Sequence, residues 1–275
     1  MPQTSGLVSM APPGYERRMR QTFHTDVTHR TALITGAGRR IGRALAEDLG
    51  AAGWSVAVHY HHSRDEAEDV VAGVTKNGGK AAAVQADLAD SASVAGLVPA
   101  AVRALGPIGC LINNASIFER DDILSATLES WDSHVAINLR APFFLSQAFA
   151  RQLGPADRGA ILNMIDERVW HLTPHFASYT VSKAGLWTLT QTAAMALAPR
   201  VRVNAIGPGP TLPSPYQSQA QFDAQCTRMP LGHGTTPAEI CAAARFILGA
   251  GAMTGQMIAL DGGQHLGWGQ VATAE

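Results

Sequence analysis

The chain of 275 residues is 46% apolar and 16% charged with a formal net charge of -1, which suits one sizeable core and gives no electrostatic ground for nucleic acid or an anionic membrane as the main partner. Cys110, Cys226 and Cys241 are odd in number, far apart and without CxxC spacing, which argues against a disulfide frame or a metal site and fits a reducing, cytoplasmic setting. No stretch offers the roughly 18 uninterrupted apolar residues of a membrane-spanning helix.

Residues 1–28, with Pro12, Pro13 and scattered basic residues, read as a loose leader before a single domain over 29–270. From Thr31 onward, short β-favouring runs alternate with helical periodicity: "TALITG", then Ile41, Leu45 and Leu49 at spacing four, then "SVAVHY". That is a βαβ unit. Further strands are predicted at "AAAVQAD", "CLINNA", "AILNMID", "VRVNAIGPG" and "MIALDGG", most of them separated by long helical stretches. Parallel neighbours need crossovers that cover both faces, so the order predicts an α/β fold with a doubly wound parallel sheet, and ligands in such sheets bind beyond the carboxyl ends of the strands. Near the C-terminus, "TPAEI" predicts a helix start with Thr236 as N-cap, Pro237 at the first position and Glu239 completing a capping box.

The first turn, "TGAGRRIG", sets Gly36, Gly38 and Gly42 between a strand and an amphipathic helix, with Arg39, Arg40 and Ile41 among them. Backbone N–H groups and a helix N-terminus there would face a pyrophosphate. The second strand ends in "HYHHS", His59, Tyr60, His61, His62 and Ser63, and no carboxylate stands at its tip. An NAD site typically places a carboxylate there, which would repel a 2′-phosphate, so its absence favours NADPH, with Arg39, the two following histidines, Ser63 and Arg64 near the phosphate. Asp87, followed by Leu88, closes the third strand, where it can take a bond from the adenine amino group or cap a helix.

"SYTVSKAG" places Tyr179 and Lys183 four apart on one helical face. An ammonium beside a phenol favours the phenolate and makes a reluctant proton carrier usable near neutral pH.

Together "TGAGRRIG", "NNAS", "YTVSK" and "NAIGPGP" resemble the short-chain dehydrogenase/reductase family over roughly residues 29–268. The resemblance implies a single Rossmann-type domain, hydride transfer from a nicotinamide, and a homotetramer. It implies that Asn114, Ala115 and Ser116 line the cofactor, that Asn138 anchors a water relay to the active lysine, that Pro208 and Gly209 abut the nicotinamide, and that Lys183 also holds the nicotinamide ribose. Two departures from the family pattern stand out. Arg40 replaces the loop's middle glycine, and Asp166 stands where a serine is usual. Both are similar to the pteridine reductase branch, in which an aromatic residue two places after the NNAS serine, here Phe118, stacks on the pterin.

The implied reaction is NADPH-dependent reduction of a C=N bond of a pteridine or dihydrofolate, with Tyr179 donating the proton, supported by Asp166 and Lys183, and with Ser116, Phe118 and Arg40 at the substrate. Arg40 either reaches across the pyrophosphate to the substrate's ring acceptors or serves the phosphates alone. Residues around 210–235 form a lid, and a neighbouring subunit's C-terminal His265 and Trp268 are placed to meet the substrate's tail. Two alternatives stay open: the same fold acting on a ketone or acyl carbonyl, and a catalytically weak NADPH-binding sensor. No metal, nucleic acid or membrane enters these readings.

Overall fold

A computed structural model describes residues 24–214 and 217–267. All seven expected strands form: β1 (Thr31–Ile34), β2 (Ser55–Tyr60), β3 (Lys80–Gln85), β4 (Cys110–Asn113), β5 (Gly159–Met164), β6 (Val201–Pro208) and β7 (Met257–Leu260). They join in one wholly parallel sheet in the order β3-β2-β1-β4-β5-β6-β7. β1, β4 and β5 are buried along their whole length. They therefore read as unbroken apolar runs, because helices cover them on both sides.

One face is packed by α1 (Arg40–Ala51), α2 (Arg64–Lys76) and α8 (Pro237–Gly249), with Leu45, Leu49, Val70, Val74 and Ile247 meeting Ile34, Val56 and Leu162. The other carries α3 (Ser91–Leu105), α5 (Ala141–Gln152) and α6 (Ala177–Leu197), with Leu97, Leu145, Phe149 and Ala194 against Leu33, Leu111 and Ile161. Against α6 on this second face lies α4 (Leu128–Val135), and α7 (Gln219–Thr227) borders the cleft. The expected capping box of α8 is formed: Thr236 Oγ1 accepts from the Glu239 N–H, and Glu239 accepts from the Thr236 N–H at 2.8 Å.

The connections reverse direction at β1, which pairs with both β2 and β4, so a crevice opens beyond the carboxyl ends of these strands. The glycine loop, Ser116, Phe118, Asp166, Tyr179, Lys183, Pro208 and Gly209 lie around that crevice. The expected leader boundary at residue 28 needs correction, since residues 24–28 pack along the opposite edge. Val27 is buried there, and Asp26 accepts from Arg202 at 2.9 Å.

Candidate active site

The glycine loop is held by its neighbours rather than by its own side chains. Gly36 adopts φ +62, and a Cβ on Gly42 would run into the carbonyl oxygen of Gly36 and the side-chain amide of Asn114. Asn114 donates from Nδ2 to the carbonyls of Thr35 (2.8 Å) and Gly36 (3.2 Å), while Thr35 Oγ1 accepts from the N–H groups of Asn114 and Ala115 at 2.9 and 3.0 Å. Thr35 was not singled out from the sequence, although a hydroxyl at a strand's end is a usual turn anchor.

Two members of "HYHHS", His59 and Tyr60, expected to line the cofactor, sit behind the loop with their side chains in the core. His59 is buried; its Nδ1 accepts from the Gly36 N–H at 2.9 Å and its Nε2 donates to the Ala86 carbonyl at 3.1 Å. Burial holds its pKa down to about 4, so it is a neutral strut. Tyr60 is packed in the core, as is Leu88.

His61, His62 and Arg39 are on the open side, and Ser63 borders Gly38. The rings of His61 and His62 lie 3.5 Å apart between centroids, Arg39 faces Glu66 at 3.7 Å, and His61 faces Asp87 at 3.8 Å. Asp87 also caps its own turn, accepting from the Ala89 N–H at 2.8 Å. These exposed pairs are weak enough for an incoming phosphate to displace. The first turn of α1, Arg40 to Gly42, presents N–H groups without intrahelical acceptors. Loop, helix end and basic rim together fit a dinucleotide carrying a 2′-phosphate.

Arg40 lies at φ +53, the left-handed conformation for which the family's glycine is suited. Its guanidinium donates to the carbonyls of Pro213 (2.9 Å) and Leu212 (3.2 Å). It therefore reaches across the cleft, but to the lid segment, an outcome neither reading of the sequence contained. The cleft, about 1270 Å³, is lined by Arg40, Ile41, Ser116, Phe118, Asp166, Tyr179, Lys183, Pro208 and Gly209, and on its far wall by α7. The segment expected as a lid thus overhangs the site.

At the cleft's floor the Tyr179 hydroxyl donates to Asp166 Oδ2 at 2.7 Å. Burial, then the charge of Asp166 and the bond to it, push the phenol well above its usual range. This corrects the expectation of a lysine-acidified tyrosine: Lys183 donates instead to the Met164 carbonyl at 2.8 Å, and its Nζ lies 5.7 Å from the centre of the tyrosine ring. Burial lowers the Lys183 ammonium to about 8. Tyr179 is thus held protonated, the form a reduction needs in its proton donor.

Asn138 sits in a π-helical turn, Ala136–Arg140, between α4 and α5. Its Oδ1 accepts from the Ile117 N–H at 3.0 Å, and Nδ2 donates to the Ile117 carbonyl and to Ser182 Oγ, both at 3.1 Å. The side chain thereby pins the strand-end loop that carries Ser116 and Phe118. Pro208 closes β6, and Gly209 donates to the Leu260 carbonyl at 2.9 Å. His265 pairs within its own chain, Nδ1 donating to Asp261 Oδ2 at 2.7 Å, and Trp268 lies outside the described residues.

The sequence reading missed Glu167. It is 3% exposed, follows Asp166 directly, and its Oε2 is buried with no hydrogen-bond partner among the described residues. Burial first, then the Asp166 charge, raise its carboxyl to about 8 against the partial relief of Arg168. A lone glutamate beside a candidate acid carries no sequence signal of burial.

The sheet, glycine loop and Asp-Tyr-Lys floor define a nicotinamide-type oxidoreductase fold and site. The model of the enoyl-(acyl carrier protein) reductase group of short-chain enzymes matches residues 36–265, and the chain belongs to the short-chain dehydrogenase/reductase family. A 3-oxoacyl-[acyl-carrier-protein] reductase of Synechocystis sp. is 34% identical over 87% of this chain and 98% of its own. Among solved structures, the FolM alternative dihydrofolate reductase 1 of Brucella suis in complex with NADP is 45% identical, with a TM-score of 0.85 over 88% of this chain and 97% of that one. The angucycline C-6 ketoreductase LanV with bound NADP is 31% identical, with a TM-score of 0.81 over 88% and 98%.

Proposed function

We propose that the protein is an NADPH-dependent reductase of a C=N bond in a pteridine, either a pterin, a dihydropterin or dihydrofolate. The observation that carries this reading is the Asp166 carboxylate, bonded to the Tyr179 hydroxyl at 2.7 Å in the place where carbonyl reductases keep a serine donor. An acceptor carboxylate gives a developing alkoxide nothing to bind, whereas it suits the amino and ring N–H groups of a pteridine. The FolM structure from Brucella suis supports the same class. The basic rim and the missing carboxylate after β2 support NADPH, which supplies the hydride when bound.

Around it this chain's residues divide the work. Tyr179 gives its proton to the ring nitrogen, and Lys183, tied to the Met164 carbonyl beside the ring, lines the same cleft floor. Asp166 orients the heterocycle, and Asn138 holds the Phe118 loop over it. Exposed Phe143 and Phe144 on α5 and Val181 and Met195 on α6 support burial of these helices in a homotetramer. Three unpaired thiols support a reducing, cytoplasmic location.

The second reading is a ketone or acyl-carrier carbonyl as substrate, favoured by the 34% identical oxoacyl reductase. NADPH oxidation measured over a panel of pteridines, dihydrofolate, ketones and acyl thioesters, with Tyr179→Phe as control, tests both. Turnover confined to carbonyls overturns the pteridine reading, and tight NADPH binding with no turnover at all leaves a sensor.

A further inference from the structure

Helix α6, which carries Tyr179 and Lys183, begins without a cap of its own. The residue at its N-cap, Phe176, has no side-chain acceptor and lies at φ +59, a region that a bulky aromatic residue rarely adopts. The missing acceptors come from the loop after β4. The Asp121 carbonyl accepts from the N–H groups of Phe176 (2.6 Å) and Ala177 (3.4 Å), and Asp121 Oδ1 accepts from the Ser178 N–H at 3.1 Å. Its Oδ2 takes the Ser178 hydroxyl and, at 2.8 Å, the Ser130 hydroxyl of α4.

A second tie runs beside the first. Ser178 Oγ lies 2.8 Å from His134 Nδ1, and His134 Nε2 accepts from the Glu119 N–H at 3.2 Å, two residues from Asp121. Asp121, Ser178 and His134 are all buried. The loop so fastened carries Phe118, whose ring is stacked on that of Phe176 at 4.3 Å and 8° and meets Tyr179 edge-on at 4.7 Å. The Arg168 guanidinium lies 5.1 Å from the centre of the Phe176 ring. Glycine would start the helix without strain, so a strained phenylalanine at this position answers a need of the cleft it lines.

We infer that Asp121 and Phe176 are a positioning pair: the Asp121 carbonyl holds the Phe176 N–H while its buried carboxylate anchors Ser178 in the first turn, which together keep Phe176 in its left-handed conformation, and the Phe176 ring fixes the plane of Phe118 so that the cleft selects flat aromatic substrates. Both act through Phe118 and Tyr179 and neither touches the reacting atoms. The selection rests on the pteridine reading, while the coupling between the two elements does not.

The test uses the protein loaded with NADP+ and titrated with pterin, a fluorescent flat bicycle. Phe176→Gly keeps or raises the melting temperature, weakens pterin binding at least tenfold, and leaves NADP+ affinity within twofold; Phe176→Tyr restores pterin binding. A merely structural residue would move stability and affinity in the same direction. Asp121→Ala speeds amide hydrogen exchange both in residues 117–122 and at 176–178. Pterin affinity unchanged in Phe176→Gly, or lost in parallel with NADP+, overturns the selection and leaves the proposed function standing. A wild type that neither binds nor reduces pterin overturns both the selection and the pteridine reading, and unchanged exchange at 176–178 in Asp121→Ala overturns the coupling whatever the substrate.

Discussion

Glutamine in place of Glu167 keeps the size of the side chain and removes its ionisation. In the folded protein burial and the neighbouring Asp166 hold this carboxyl at about 8 against an ordinary 4.5. Its pKa is raised on folding, so its contribution favours the folded state fully below pH 4.5 and is lost as pH rises toward about 8, because only the unfolded chain ionises freely in that window. At ~1.36 kcal/mol per unit, the interval of 3.5 (8 − 4.5) sets a loss of at most about 5 kcal/mol, of which about 3 kcal/mol has gone by pH 7. Glu167→Gln has no such loss. Urea unfolding at fixed protein concentration between pH 5 and 8.5 should show the variant gaining on the wild type by about 1 kcal/mol per pH unit up to pH 8. An offset that stays constant over this range would show that Glu167 ionises as readily in the folded protein as outside it, and the account of its burial would fail.

Asp166→Asn takes away the second largest influence holding Tyr179 protonated, so the alkaline limb of kcat/KM should move to lower pH, with kcat down tenfold or more. A limb that stays in place would mean that the Asp166 charge does not act on the phenol. Arg40→Gly frees a left-handed position and should stabilise the fold by up to about 1 kcal/mol. It also removes the bonds to Leu212 and Pro213, so KM for the substrate should rise several-fold; steady-state kinetics and thermal melts read the two effects separately. His59 is depressed to about 4, and its contribution is present above 6.5 and lost as pH falls through 4. His59→Gln should lack that steep acid loss, and identical acid-unfolding curves for the two proteins would refute the neutral strut.

The seven strands and their alternation with helices were legible because each strand is a short apolar run between helical stretches, and a buried parallel sheet admits little else. Tyr179 and Lys183 were legible because four residues on a helix is a fixed geometry. What was illegible depended on which side of a backbone a side chain takes. His59 and His61 sit two apart, a spacing a continued strand would keep on one face, yet β2 ends at Tyr60, so His59 is buried while His61 lies past the strand end on the open side. The direction of the tyrosine's pKa turned on its burial and then on its contact with Asp166, neither of which spacing along the chain gives. Asp121 and His134 were missed because each caps or braces an element remote in sequence, and a buried polar partnership of that kind leaves no periodic trace.

Asp26 gives the far edge of the sheet a practical meaning. Arg202 is itself buried, and besides Asp26 it reaches the carbonyls of Ile247, Leu248 and Met253. A protein trimmed to begin at Arg30 would keep every group of the catalytic cleft and strand that guanidinium without its counter-ion. Its damage should appear as poor recovery from expression and early aggregation on warming, with the specific activity of the surviving fraction untouched.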